Sequence, residues 1–219
     1  MDKLRLRFKK TGRAVYISHL DLMDTIQRAF SRAEYGLKYS EGFNPRPQIS
    51  IALPLSVGTG SVCEVMDFKL RCETALDDFP QRLTAAMPEG IEIIEVYEPQ
   101  RKASEIKWLE VEGVMEYDER DAGEMAADLR EFYAAPEIVI TKKTKRGLGE
   151  MDIKPAIQSI AFTPGDKCVK VDAFISAQEP TLNPELLTDA LQQRAPEIAP
   201  DFAKYMRIET YDAQMNVFR

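Results

Sequence analysis

Eight residues, Ser40-Glu41-Gly42-Phe43-Asn44-Pro45-Arg46-Pro47, limit the fold more than any other stretch of this chain. Pro45 and Pro47 lack backbone donors and push the residues before them toward extended geometry. The segment can therefore be neither helix nor central strand. Gly42 and Asn44 add turn chemistry. A stiff loop has to separate whatever precedes residue 40 from whatever follows residue 47. Stiff loops often carry function, and this one holds Phe43, Asn44 and Arg46 in place.

On either side of the loop the hydrophobic period changes. Leu4, Leu6 and Phe8 alternate with Lys3, Arg5, Arg7 and Lys9, the pattern of a half-buried strand. From Leu20, apolar residues recur at helical spacing through Leu22, Met23, Ile26, Ala29, Phe30 and Ala33, with Gly36 as the expected stop. Ser18 and Asp21 before this run form a capping signature. After the loop, residues 49–53 and 62–70 read as strands, 74–87 as a helix and 91–97 as a strand. That order, β-α-β-β-α-β, is the ferredoxin-like arrangement. Residues 106–117, 120–133, 138–143, 153–162, 169–175, 183–196 and 205–211 repeat it in outline. The predicted class is α+β, with two ferredoxin-like units in tandem: residues 1–98, and residues 104–219 after a polar linker.

The chain has 219 residues, 44% hydrophobic and 30% charged, which fits a soluble globular protein. No apolar run approaches the roughly 20 residues of a membrane helix. The N-terminus lacks the apolar core of a secretory signal, so a cytoplasmic location is expected. Cys63, Cys72 and Cys168 are odd in number and widely spaced, which implies neither a disulfide framework nor a metal or cluster cofactor. The formal net charge is -7, yet residues 1–60 hold 10 Lys/Arg against 5 Asp/Glu. The acidic excess lies in residues 61–140, and a basic run, Lys142-Lys143-Thr144-Lys145-Arg146, follows. An anionic ligand or an RNA can meet the basic parts despite the acidic total.

Residues 16–23 (Tyr-Ile-Ser-His-Leu-Asp-Leu-Met), the proline loop, and residues 49–55 (Ile-Ser-Ile-Ala-Leu-Pro-Leu) together resemble the radical-SAM-linked protein family, a bacterial domain of unknown function. Gly58, Ser61, Glu64 and Asp67 extend the resemblance, as do Lys145-Arg146-Gly147 and Met151-Asp152-Ile153-Lys154-Pro155. The resemblance implies a radical SAM protein as partner and a setting in RNA metabolism. The chain has no cysteine triplet for a catalytic cluster and is not itself the radical enzyme.

Several residues stand out chemically. His19, the only histidine, falls just after the Ser18 cap; as a neutral imidazole it could act as a base, with Tyr16 beside it. Ser18 and Asp21 are accounted for by capping. Arg46, held between prolines, could grip a phosphate with little entropy loss. Phe43 is read either as a base-stacking ring or as the loop's anchor in the core. Ser40 and Asn44 complete this ligand-facing set, while Gly42, Pro45 and Pro47 shape the loop. Glu64 and Asp67 should point to opposite faces of one strand. Glu64, on an apolar face, needs a cationic partner, for which Arg46 is a candidate. In the second half, Lys143, Lys145 and Arg146 could meet phosphate, and Asp152 with Lys154 reads as a ligand-facing or surface ion pair. His19 and Arg46 are expected to open onto one anion-accepting hollow.

The principal functional expectation is an accessory module that binds RNA or a phosphate-bearing ligand for a radical SAM enzyme. Two alternatives differ in class. One is a metal-independent endoribonuclease resembling the RAMP type, with His19 as base and Tyr16 and a lysine near Lys145 stabilising charge. The other is a protein-docking adaptor using the acidic face of Asp121, Glu124 and Asp128.

Overall fold

The alternation of the first residues becomes strand β1 (Leu4–Lys10), and residues 19–32 become helix α1 (His19–Arg32). The computed structural model describes residues 3–144 and 147–219. The chain divides into two units, residues 1–105 with Arg219, and residues 106–218. Each is an α+β assembly on an antiparallel sheet. Among the described residues no helix is long and apolar enough to cross a membrane.

In the first unit, β1 and α1 are followed by β2 (Ile49–Ile51), β3 (Gly60–Phe68), helix α2 (Phe79–Ala85) and β4 (Ile91–Tyr97). The strand order is β4-β1-β3-β2, with every neighbouring pair antiparallel. Leu4 and Leu6 pair with Phe68 and Met66. These side chains, with Phe8, meet Ile26 and Phe30 of α1 and Phe79 and Leu83 of α2 in one core. Its centre is aromatic: the rings of Tyr35 and Phe79 stack at 4.1 Å, and Phe30 meets Phe68 edge-on at 5.2 Å. α2 is shorter than the predicted 74–87. Pro80 occupies its first turn, where a missing N–H costs nothing.

α1 stops before Gly36. Glu34 takes the left-handed conformation (φ 63°), and the Glu34 and Tyr35 amides donate back to Ser31 and Phe30 carbonyls. This is a Schellman termination with a glutamate where glycine is usual. Gly90 is the position where glycine is required. Its φ is +89°, and a Cβ there would lie 2.3 Å from the Thr11 carbonyl oxygen; the Thr11 amide donates to the Gly90 carbonyl at 2.8 Å and joins the end of β1 to the start of β4.

The second face of β1 departs from the half-buried expectation. Arg5 and Arg7 are buried. Arg5 lies opposite Asp67 on β3 and forks onto its carboxylate at 2.7 and 3.1 Å, while Lys3 reaches the same group at 2.5 Å. A charge can leave water when it is paired this fully.

The second unit runs β5 (Trp108–Glu116), α3 (Ala122–Ala134), β6 (Val139–Thr144), β7 (Gly147–Asp152), β8 (Ile157–Pro164), β9 (Cys168–Ser176), α4 (Glu185–Arg194) and β10 (Phe202–Tyr211). Its sheet order is β10-β5-β9-β8, again antiparallel. β6 and β7 pair only with each other, as a hairpin inserted between α3 and β8. The predicted strand at 138–143 is thus half of this hairpin. Its partner, Gly147-Leu148-Gly149, was hidden by glycines, which are depleted in strands. Gln193 on α4 clips the hairpin: the Thr141 amide donates to its Oε1 (2.8 Å) and its Nε2 donates to the Thr141 carbonyl (3.0 Å). The predicted strand from 153 begins instead at Ile157, after a 3₁₀ turn at Lys154–Ala156. On β5, Gly113 faces Tyr205 of β10, whose ring occupies the space a Cβ would take, 2.6 Å away.

Candidate functional site

The proline loop is braced at its neck. The Ser40 amide donates to the Arg46 carbonyl at 2.8 Å, and the Arg46 amide donates to Ser40 Oγ at 3.0 Å. Below this, Tyr39 bridges to Pro47, and Lys38, Gln48 and Lys69 exchange backbone hydrogen bonds at the end of β3. Tyr39 is the anchor: Gln27 of α1 donates to its hydroxyl at 3.0 Å, and the Arg71 guanidinium lies 5.5 Å from its ring centroid. Gly42 supplies the positive φ of the tip. Phe43 is therefore no core anchor. Its relative accessibility is 107%, and Asn44, Pro45 and Arg46 are exposed beside it.

Three cations lie on the loop or at its base: Arg46, Lys38 and Lys69. Lys38 is exposed and Lys69 half-buried at the loop's base. Among the described residues, neither these two ammonium groups nor the Arg46 guanidinium has an ion-pair partner. A hollow of about 230 Å³ next to the neck is lined by Lys3, Gln48, Ser50, Asp67 and Lys69, among others. Burial pushes the Asp67 carboxyl up, but hydrogen bonds from Arg5 and Lys3, with their charges, prevail and hold it below the ordinary aspartate range. Asp67 thus stays ionised and spends its charge on the strand pair.

At the start of α1, Ser18 Oγ accepts the Asp21 amide at 3.2 Å and donates to Asp21 Oδ2 at 2.7 Å. Both residues cap the helix. His19 follows, half-buried, with Tyr16 and Leu20 strongly exposed on either side, at 68% and 75%. Gly58 donates to the Val15 carbonyl at 2.9 Å, as does Lys10 Nζ. The helix start thus hangs from the end of the sheet where Lys10 pairs with Ser61 and Ile91. The proline loop is tied to the opposite end, beside Lys69. The nine residues of β3 lie between, a span on the order of 30 Å at the usual rise of a strand. His19 and Arg46 do not share a hollow.

Glu64 also parts from expectation. It is fully buried opposite Phe8, and Lys10, not Arg46, is a cation whose charge it feels. Burial lowers the pKa of Lys10, and the charge of Glu64 offsets part of that. Glu64 and Asp67 do serve opposite faces of β3, as strand alternation requires.

Residues 3–184 match the profile of a family described as an uncharacterized protein conserved in bacteria (DUF2344). The chain belongs to this family. The DUF2344 match takes in the first unit from residue 3 to residue 105 and runs through the second as far as Pro184. Its description names no radical SAM partner. No curated protein matches the chain. A solved structure described as an unknown protein from Galdieria sulphuraria is 10% identical, aligns over 94% of this chain and 98% of its own, and has a TM-score of 0.27.

In the second unit of this DUF2344 chain, Lys143 lies on β6 opposite Leu148. Lys145 and Arg146 lie outside the described residues. Asp152 and Lys154 do not pair with each other through their side chains. Asp152 Oδ1 accepts the amides of Ile138 (2.9 Å) and Lys154 (3.0 Å), and Lys154 Nζ donates to the Tyr133 carbonyl. Both brace the hairpin's base. Among the described residues, no group of three or more His, Cys, Asp or Glu is placed to hold a metal ion. Sequence reasoning missed Tyr39, Lys38 and Lys69. The one available signal was that Tyr39 and Lys38 immediately precede the loop.

Proposed function

We propose that this chain is an RNA-binding accessory module whose first unit receives single-stranded RNA on the proline loop. The observation that carries the reading is the bare ring of Phe43 on a loop closed by two hydrogen bonds at its neck. A phenyl group in water gains by covering its faces, and a nucleobase is a flat partner of the right size. Because the loop is already rigid, little conformational entropy is lost when the base arrives. Arg46, Lys38 and Lys69 supply charge for the flanking phosphates. Asn44 adds a side-chain amide beside the ring.

The finer fold reading, two ferredoxin-like units with a hairpin inserted into the second, is supported by the matching strand orders and element orders of the two units. The partnership with a radical SAM enzyme rests on the sequence resemblance alone. A second reading, the metal-independent endoribonuclease, draws on the accessible pair His19 and Tyr16. The distance of that pair from the loop places it below the first reading.

The test is fluorescence anisotropy with a labelled single-stranded RNA of mixed sequence, read across a salt series. Phe43→Ala should weaken binding by about 1–3 kcal/mol, roughly 5- to 150-fold. Arg46→Ala should lower the log–log salt slope by about 0.7. Wild-type protein that ignores RNA at low salt, or a Phe43→Ala protein that binds as well as wild type, overturns the reading. Cleaved RNA in EDTA that disappears with His19→Ala would shift the function to the nuclease.

A further inference from the structure

A larger hollow lies elsewhere on the first unit, between α1 and α2. Its volume is about 860 Å³, within the range of small-molecule and cofactor sites. Arg28, Arg32 and Arg82 line it, and Glu34 is the only carboxylate among the lining residues. Its remaining walls are mostly apolar, with Ile17, Met87 and Pro88 among them.

The three arginines are held differently. Arg32 on α1 donates to the Ala86 carbonyl that ends α2 (2.5 Å), and Arg82 on α2 donates to the Ala33 carbonyl that ends α1 (3.1 Å). Each helix thus caps the other. Arg82 is further steadied by the Tyr35 ring, 4.9 Å from its guanidinium carbon, and by a loose contact with Asp78 at 3.9 Å. A guanidinium has five N–H donors, and one hydrogen bond from each to a carbonyl leaves most of them unused. Arg28 sits one helical turn before Arg32 on the same face. Among the described residues it has no hydrogen-bond or ion-pair partner. Capping explains Arg32 and Arg82, but it does not explain Arg28. Three guanidinium groups line the groove against one lining carboxylate; Asp78 and the two helix C-termini offset charge at Arg82 and Arg32, and among the described residues Arg28 has no such offset.

We propose that this groove binds a small organic ligand carrying a diphosphate, of nucleotide size. Arg28 and Arg32 would contact the phosphates from α1 and Arg82 from α2, while the apolar wall takes the organic part. This site is separate from the proline loop, and the two readings stand or fall independently.

Isothermal titration calorimetry of the full chain with ADP and with inorganic pyrophosphate tests it. Arg28→Glu should weaken both ligands by about tenfold or more, and Glu34→Gln should tighten them. Arg13→Glu, the same charge change on an exposed turn outside the groove, should have little effect. Circular dichroism of the Arg28→Glu protein checks that it is folded. No binding of either probe by wild type at about 1 mM overturns the proposal. So does equal weakening by Arg13→Glu, which would reduce the effect to net charge. Capture of an acidic peptide in place of both probes would assign the groove to a protein partner and overturn it as well.

Discussion

The two units thread their chains through the same strand order, yet they are closed by different chemistry. The first packs aromatic rings: Phe30, Phe68, Phe79 and Tyr35 stack or meet edge-on between sheet and helices. The second has ring contacts too, Tyr133 with Phe132 at 5.1 Å and with Phe162 at 5.3 Å, but adds directed tyrosine hydroxyls. Tyr133 donates to the Leu187 carbonyl at 2.6 Å, Tyr117 to the Ile198 carbonyl at 3.0 Å, and Tyr205 shares a 2.7 Å hydrogen bond with Thr188. These bonds fasten α4 and the turn after it. Topology therefore does not dictate the glue. Ring packing is paid for by area and shape, while a buried hydroxyl depends on one directed partner.

The sharpest way to break this contrast is Phe79→Ala. Phe79 touches three other rings, so the variant should lose about 3–5 kcal/mol in urea denaturation. A loss below about 1.5 kcal/mol would mean the aromatic cluster is not the chief support of the first unit. Tyr133→Phe should cost the second unit about 1.5 kcal/mol, the upper end of the net worth of one hydrogen bond, since the Leu187 carbonyl keeps its helical donor. Phe132→Ala alongside it would show whether packing matters more there than expected.

pH separates the units further. The Asp67 carboxyl is depressed in the folded first unit, so its contribution is present above the ordinary aspartate pKa of about 3.9 and disappears as pH falls through its lower folded value. Asp67→Asn should flatten the acid limb of a urea-midpoint profile. In the second unit, burial raises the Tyr117 hydroxyl to about 12. Its contribution is present below the unfolded tyrosine value of about 10 and is lost as pH rises toward 12. Tyr117→Phe should therefore lessen the decline of thermal stability on the alkaline side. Tyr35 and Tyr97 of the first unit are also raised by burial, so the alkaline limb is shared and the acid limb is the better discriminator.

The smallest expected effects come from the helix caps, one per unit. Ser18→Ala should cost about 1 kcal/mol, and so should Asp121→Ala, whose Oδ1 accepts the Gly123 and Glu124 amides. Equal losses by calorimetry would show that caps act locally whatever closes the core.

Much of the first unit was legible because its pattern is strict. Strand alternation over Leu4, Leu6 and Phe8 and helical spacing from Leu22 to Phe30 each allow one buried face. The Ser18–Asp21 cap was legible for the same reason, being a local geometry. Phe43 was not. An apolar residue in a loop reads equally as anchor or as tip, and only the role of neighbouring Tyr39 decides between them. The burial of Arg5 was hidden because its partner, Asp67, lies 62 positions away. In the second unit, Asp152 and Lys154 looked like an ion pair because sequence spacing cannot reveal that two side chains have turned toward main-chain atoms.

The clip at Gln193 has a consequence of its own. One carboxamide reproduces the donor and acceptor of a missing neighbouring strand, so Gln193 ties β6 to α4 as a further strand would, while the four-stranded sheet closes without the hairpin. An appendage joined in this way leaves every ladder of the four-stranded sheet complete, so loosening the clip should release the hairpin before it disturbs the scaffold beneath.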